Sequence, residues 1–199
     1  MKTVAWLHFL SRQQRQHGKR IFTCTELANV ADASPAVINV ELGRLVRQGH
    51  IRRYAPGRYG LPEGVAVEEL VASIDPDAYV TGAYALFRHG YITQIPQEIA
   101  CFTRRRHNRS RCRATPFGTL VFICASPRVY SRPHGAVAEP AQAICDLVCS
   151  LRRRGLAPRS LYTFRKLDAI KISAELLARY PRTVREDVQR LSVEAEAAS

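Results

Sequence analysis

The stretch Arg104-Arg105-Arg106-His107-Asn108-Arg109-Ser110-Arg111-Cys112-Arg113 places six arginines in ten positions. Guanidinium groups match phosphate oxygens two bonds at a time, so the run suits a nucleic-acid backbone or an acidic protein partner. With neither partner it is a solvated loop. A second basic group lies nearer the N-terminus, where Arg44, Arg47, Arg52, Arg53 and Arg58 are interleaved with Tyr54 and Tyr59. Spacing adds information there. Ile38, Leu42, Leu45 and Val46 fall on one face of a helix, which leaves Asn39, Gly43, Arg44 and Arg47 largely off it.

Residues able to catalyse are harder to find. The chain has no Gly-x-x-x-x-Gly-Lys, Gly-x-Ser-x-Gly or His-Glu-x-x-His pattern. Asp75 and Asp77 flank Pro76 and read as turn and cap residues, and Asp146, inside an apolar helix, reads as a buried hydrogen-bonded group. His107-Asn108 is similar to a fragment of a nuclease motif but has no metal-binding acids beside it. No catalytic residue is assigned, and a non-enzyme is expected. The six cysteines, at 24, 101, 112, 124, 145 and 149, contain no Cys-x-x-Cys pair. Zinc wants four ligands, and His107 with Cys101 and Cys112 is the only nearby supply. Buried free thiols are expected, with no metal and no cofactor.

The elements that position the N-terminal arginines follow from local signals. A first helix ends at His17-Gly18, a short strand covers Arg20-Ile21-Phe22, and Thr23 or Thr25 caps a short second helix. Ser34-Pro35 then starts a third helix, with a capping hydroxyl and a residue pre-set for the first helical position, and Gly49 stops it. His50–Tyr54 and Arg58–Leu61 form a hairpin around Pro56-Gly57. Three helices and a basic hairpin constitute a winged helix-turn-helix over residues 1–62. Its third helix presents Ser34, Pro35, Asn39, Gly43, Arg44 and Arg47 to a DNA major groove, and Arg52, Arg53 and Arg58 reach the backbone.

Beyond residue 62 the pattern mixes helix and strand. Helices are expected over Val65–Ile74, Ala78–His89, Ala138–Leu151, Ala169–Tyr180 and Thr183–Leu191. Strands are expected over Gln97–Thr103 and Thr119–Cys124, with fraying from Glu194. The Arg-rich run between the two strands is either a loop or a continuation of the sheet. It offers Arg104, Arg105, Arg106, Arg109 and Arg111 as a second anionic contact. The fold class is therefore α+β: an N-terminal winged helix-turn-helix, then a mixed α/β C-terminal domain over 63–199.

Composition agrees with a polyanion partner. Of 199 residues, 30 are Lys or Arg and 17 are Asp or Glu, a formal charge of +13. Residues 1–62 carry +7, residues 63–100 carry −5, residues 101–165 carry +11, and the remainder is neutral. An acidic belt thus separates two regions that would release counterions from nucleic acid. No apolar run approaches the ~20 residues of a membrane span and no signal-peptide pattern opens the chain, so a soluble cytoplasmic protein without membrane contact is expected.

The order of these features resembles the AbiEi-type antitoxins and transcriptional regulators of type IV toxin–antitoxin systems. The N-terminal likeness rests on Leu42-Gly43-Arg44-Leu45-Val46-Arg47-Gln48-Gly49-His50-Ile51-Arg52-Arg53 and Pro56-Gly57-Arg58-Tyr59. The C-terminal likeness rests on Thr81-Gly82-Ala83-Tyr84-Ala85-Leu86, His89-Gly90-Tyr91, Thr93-Gln94-Ile95-Pro96 and Glu139-Pro140-Ala141-Gln142-Ala143-Ile144-Cys145-Asp146-Leu147. Together these span roughly residues 20–150. The resemblance implies a protein that binds promoter repeats in double-stranded DNA, as monomer or dimer, and represses its own operon. It also implies an antitoxin that counteracts a nucleotidyltransferase toxin functionally rather than through a stable complex. The residues alone leave two alternatives open: a stand-alone winged-helix transcriptional regulator, and a basic module that binds protein or RNA.

Overall fold

A computed structural model describes residues 2–157 and 161–196. Helix α1 (Thr3–His17) ends at Gly18, whose φ of 64° lies in the left-handed region that glycine adopts without strain. Strand β1 (Phe22–Thr23) leads into α2 (Cys24–Ala31). Thr23, not Thr25, caps that helix: its hydroxyl accepts from the Glu26 amide, and its own amide donates to the Glu26 carboxylate. Ser34 caps α3 (Pro35–Arg47), with Pro35 at the first position. Strands β2 (Arg52–Ala55) and β3 (Arg58–Gly60) form the hairpin, and β1 adds to β3 to complete an antiparallel sheet ordered β1-β3-β2. Trp6, Leu10, Phe22, Leu27, Ile38, Leu42 and Leu45 fill the space between helices and hairpin. The indole of Trp6 donates to Glu41 at 2.9 Å, joining α1 to α3.

Helix α4 (Val67–Ile74) follows. The helix expected over Ala78–His89 is instead split into strand β4 (Tyr79–Thr81) and helix α5 (Gly82–Arg88). Tyr79, Val80 and Thr81 are aromatic or β-branched and pair antiparallel with Phe102, Cys101 and Ala100, so long-range ladder bonds win over local helical pattern. The rest of the sheet comes from β5 (Glu98–Thr103), β6 (Cys112–Thr115) and β7 (Gly118–Cys124), in the order β4-β5-β7-β6. Only β5 and β7 run parallel. Helix α6 (Pro140–Arg152) is buried on nearly every side. The helix expected over Ala169–Tyr180 shrinks to a 3-10 turn (Leu167–Ala169) and α7 (Ala174–Ala178), because the chain between them extends to carry Ile170 into the core. Helix α8 (Arg182–Glu196) includes Glu194, where fraying was expected; residues 197–199 lie outside the described residues. The architecture is α+β. No helix among the described residues is long and apolar enough to cross a membrane.

The four-stranded sheet packs against other elements on both faces, over only part of its width on the side of α5 and α6. On one, Ile99, Cys101, Leu120 and Phe122 pack against Leu70 and Val71 of α4 and against Tyr54 of the hairpin. This core spans both sides of residue 62. Tyr54 stacks on Phe117 at 6.0 Å, and Arg20 ion-pairs with Glu69 across the same seam. On the opposite face, Phe102 packs with Leu86, Ile144, Leu147 and Val148 of α5 and α6. There Asp146 sits fully buried. It accepts hydrogen bonds from Thr81 (2.8 Å), Tyr180 (2.7 Å) and Tyr79 (3.1 Å), so one carboxylate ties β4, α6 and the approach to α8 together.

Burial pushes the Asp146 carboxyl up to about 7, although the three hydroxyls favour the charged form. A carboxyl raised in the folded state holds its proton where the unfolded chain has lost it, so its contribution to stability falls as pH rises from about 4 to about 7. Asp146→Asn keeps the shape and removes the charge. As pH rises across this window the wild type is expected to lose unfolding free energy relative to this variant, by about 1.4 kcal/mol per pH unit at most. Parallel curves would refute the assignment. Packing gives a second test. A Cβ on Gly60 would collide with the backbone carbonyl oxygen of Arg20, so Gly60→Ala is expected to cost about 1–3 kcal/mol in urea melts.

Candidate nucleic-acid interface

Helix α3 buries Ile38, Leu42 and Leu45 and turns its other side to solvent. Ser34, Pro35, Asn39 and Arg47 are exposed there, and Gly43 is half-buried. The Ser34 hydroxyl is engaged with the Val37 amide at 3.5 Å, and Asn39 accepts a weak bond from the Cys24 thiol at 3.2 Å. The outward face is less basic than the sequence suggests. Val37 and Val40 are 57% and 74% exposed on it, and Arg47 is its one exposed arginine.

Arg44 is placed otherwise than expected. Its guanidinium turns back to α1 and the end of its own helix, donating to Thr3 Oγ1 at 3.2 Å and Gln48 Oε1 at 2.9 Å, with Glu41 at 3.8 Å. The reason is proximity: three acceptors lie within one side chain's reach. Arg58 is likewise drawn inward. Its Nε and Nη2 donate to the Ser73 carbonyl at 3.1 and 2.9 Å, supplying hydrogens to a carbonyl at the C-terminal end of α4. Arg58 therefore clamps the hairpin to α4 rather than extending to a backbone phosphate. Tyr54 assists by stacking on Phe117 on the side of the large sheet, while its hydroxyl donates to the Leu61 carbonyl at the end of the hairpin, at 2.6 Å. Arg52 and Arg53, on the same hairpin, are exposed and make no ion pair among the described residues.

The Arg-rich run divides in the same way. It leaves β5 as a loop with a single 3-10 turn (Asn108–Ser110) and returns as β6, so both the loop and the sheet expectations hold for different parts of it. Arg104 and Arg105 point to the acidic belt, at 3.9 and 3.3 Å from Asp77, and Arg104 also lies over the Tyr130 ring. Arg113 packs over Phe122 beside Arg58; burial and that neighbouring charge lower its affinity for a proton. Arg106, Arg109 and Arg111 are exposed and make no ion pair among the described residues. They gather with Arg153 and Arg154, from the end of α6, around a cleft that the α3 and hairpin residues do not line.

Asp75 exceeds the role expected of a turn residue. It is fully buried and accepts from Thr103 Oγ1 (2.6 Å), His107 Nε2 (2.9 Å) and the Asp77 amide (3.0 Å), with Arg105 close by. Burial alone would raise this carboxyl; the bonds from Thr103, His107 and Asp77 outweigh it and hold the group below its ordinary range. His107 in turn stacks on Phe122, with ring centroids 4.3 Å apart. No local pattern announces this arrangement, because Asp75 and His107 are brought together only by the pairing of β4 with β5. Cys101, Cys145 and Cys149 are buried free thiols as expected, whereas Cys112 and Cys124 are exposed on β6 and β7 and Cys24 is half-buried. Among the described residues no group of three or more His, Cys, Asp or Glu is arranged to hold a metal ion.

No family model matches the chain, and no curated protein matches it. The geometry of the guanidinium groups therefore carries the functional argument.

That geometry separates two kinds of arginine by measurement. Arg58→Ala removes the clamp on α4 and is expected to lower stability by about 1–3 kcal/mol, through lost hydrogen bonds and packing. Arg52→Ala and Arg53→Ala, at exposed positions, should stay within about 0.5 kcal/mol of wild type. Equal melting temperatures for all three variants would contradict the placement of Arg58.

Proposed function

We propose that residues 1–62 act as a winged helix-turn-helix that binds double-stranded DNA, with α3 as the recognition helix and β2-β3 as the wing. The observation that carries this reading is the outward face of α3. Among the described residues no other element covers it; it starts at the capped Ser34-Pro35 turn and ends at the exposed Arg47, which makes no ion pair there, five residues before the exposed Arg52-Arg53 pair. A helix enters the major groove by its first turns, where Asn39 can bond an adenine edge and the exposed Val37 and Val40 methyls can contact thymine methyls. Arg52 and Arg53 then meet phosphates, which position the helix without reading sequence. The clamp formed by Tyr54 and Arg58 supports the same reading, since a wing fixed to the body delivers its arginines at a set distance from α3.

Extending the resemblance to AbiEi-type regulators, we read the chain as an antitoxin that represses its own operon by binding promoter repeats and counteracts a nucleotidyltransferase toxin encoded beside it. The two halves of this reading are tested separately. In gel shifts with the DNA upstream of its own reading frame, binding is expected to fall steeply with salt, by ~10³-fold from 50 to 200 mM if about six phosphates are engaged. Arg47→Ala should cost about 1–3 kcal/mol on that DNA and less on random duplex, whereas Arg52→Ala and Arg53→Ala should weaken both alike. A salt-independent complex, or an Arg47 variant with unchanged discrimination, overturns the DNA reading. Failure of the chain to restore growth when co-expressed with the adjacent nucleotidyltransferase overturns the antitoxin reading alone.

A further inference from the structure

Helices α5 and α6 cover one face of the four-stranded sheet over β4 and β5, and leave the same face of β7 and β6 open. The opening is a cleft of about 790 Å³. Its floor is apolar, made by Ala100, Val121 and Ile123, and Leu147 and Leu151 of α6 form one wall. On the rim stand Arg106, Arg109 and Arg111 from the β5–β6 loop, with Arg153 and Arg154 from the end of α6, where Arg153 also donates to the Cys124 carbonyl at 3.3 Å. Tyr162 also lines the cleft. Against these five guanidinium groups the lining holds one carboxylate, Glu98, at 2.8 Å from Arg154.

The loop that carries three of the arginines is held in place before any ligand arrives. His107 is fixed by the buried Asp75 and by stacking on Phe122. Its carbonyl accepts from both the amide and the hydroxyl of Ser110, and the Arg111 carbonyl accepts from the Phe122 amide at 2.8 Å. Such anchoring lowers the ordering cost that exposed arginines normally meet on binding.

An apolar floor and an arginine rim ask for different things of a ligand. A bare phosphate would satisfy the rim and leave the floor in water. An acidic peptide would satisfy the rim through carboxylates on flexible side chains and would need a separate aromatic residue to reach the floor and Tyr162. A planar aromatic body bonded to phosphate satisfies both, and the volume is within the usual range for such ligands. We propose that this cleft binds a nucleotide, its base on the Val121–Ile123 floor beside Tyr162 and its phosphates between the loop arginines and the Arg153-Arg154 pair. The chemistry is the same whether the nucleotide is free or ends a single strand. It does not depend on α3 reading a duplex.

Fluorescence anisotropy of the full chain with a mant-labelled ADP probe tests this. The probe is expected to bind, and Arg109→Glu/Arg111→Glu should weaken it about tenfold or more. Tyr162→Ala should weaken it severalfold, with circular dichroism confirming that both variants fold. Unlabelled ADP should displace the probe at far lower concentration than inorganic pyrophosphate does. Displacement by a short oligodeoxythymidylate at lower concentration than ADP assigns the site to a strand end, and the reverse order to a free nucleotide. The proposal is overturned if the probe does not bind, if pyrophosphate competes as well as ADP, or if the folded double-arginine variant binds like wild type.

Discussion

A carboxylate removed from water must be answered by donors, and in this protein two such groups set the course of the chain around them. Asp75 stands where α4 gives way to β4. It draws in the end of β5 through Thr103 and the start of the Arg-rich loop through His107. Asp146, on the far side of the sheet, draws in β4 through Tyr79 and Thr81 and the segment before α8 through Tyr180. Strand β4 thus lies between two buried acids. Their effects differ: donors outweigh burial at Asp75, whereas burial outweighs donors at Asp146.

The same competition for partners sorts the arginines. Basic residues number 30 against 17 acidic ones, so many guanidinium groups have no carboxylate to themselves, but a carbonyl or hydroxyl within reach is enough to recruit one. Arg44 and Arg58 are recruited by Thr3, Gln48 and Ser73, and Arg104 and Arg105 by the acidic belt. Arg47, Arg52 and Arg53 remain outward on α3 and the hairpin, and Arg106, Arg109 and Arg111 around a cleft beside the four-stranded sheet. The −5 charge of residues 63–100, which separates two basic regions in the sequence, is partly spent in space on restraining the loop that follows it.

The hairpin belongs to two hydrophobic cores because its faces have different tasks. Tyr54 and Ala55 are buried in a core shared with α4 and the large sheet, while Arg52 and Arg53 point away from it. A β-strand alternates sides residue by residue, so a bulge between Arg53 and Ala55 is needed to place two consecutive residues inward.

Local chemistry was enough to read the elements of residues 1–62. Ser34-Pro35, the period of Ile38, Leu42 and Leu45, the Pro56-Gly57 turn and Gly49 specify helix and hairpin within a few residues, because caps, turns and amphipathic periods act over short spans. The α+β class followed from the same signals. Tertiary structure decided the rest. Tyr79–Thr81 carries helical pattern but forms a strand, since its ladder partners are some twenty residues away in β5. Nothing near Arg58 in the chain names the Ser73 carbonyl, and nothing near His107 names Asp75 or Arg153. Residue type and spacing told which groups are cationic; which of them stay available to a ligand depended on acceptors brought near by folding, and that is a property of three-dimensional proximity that a linear pattern does not hold.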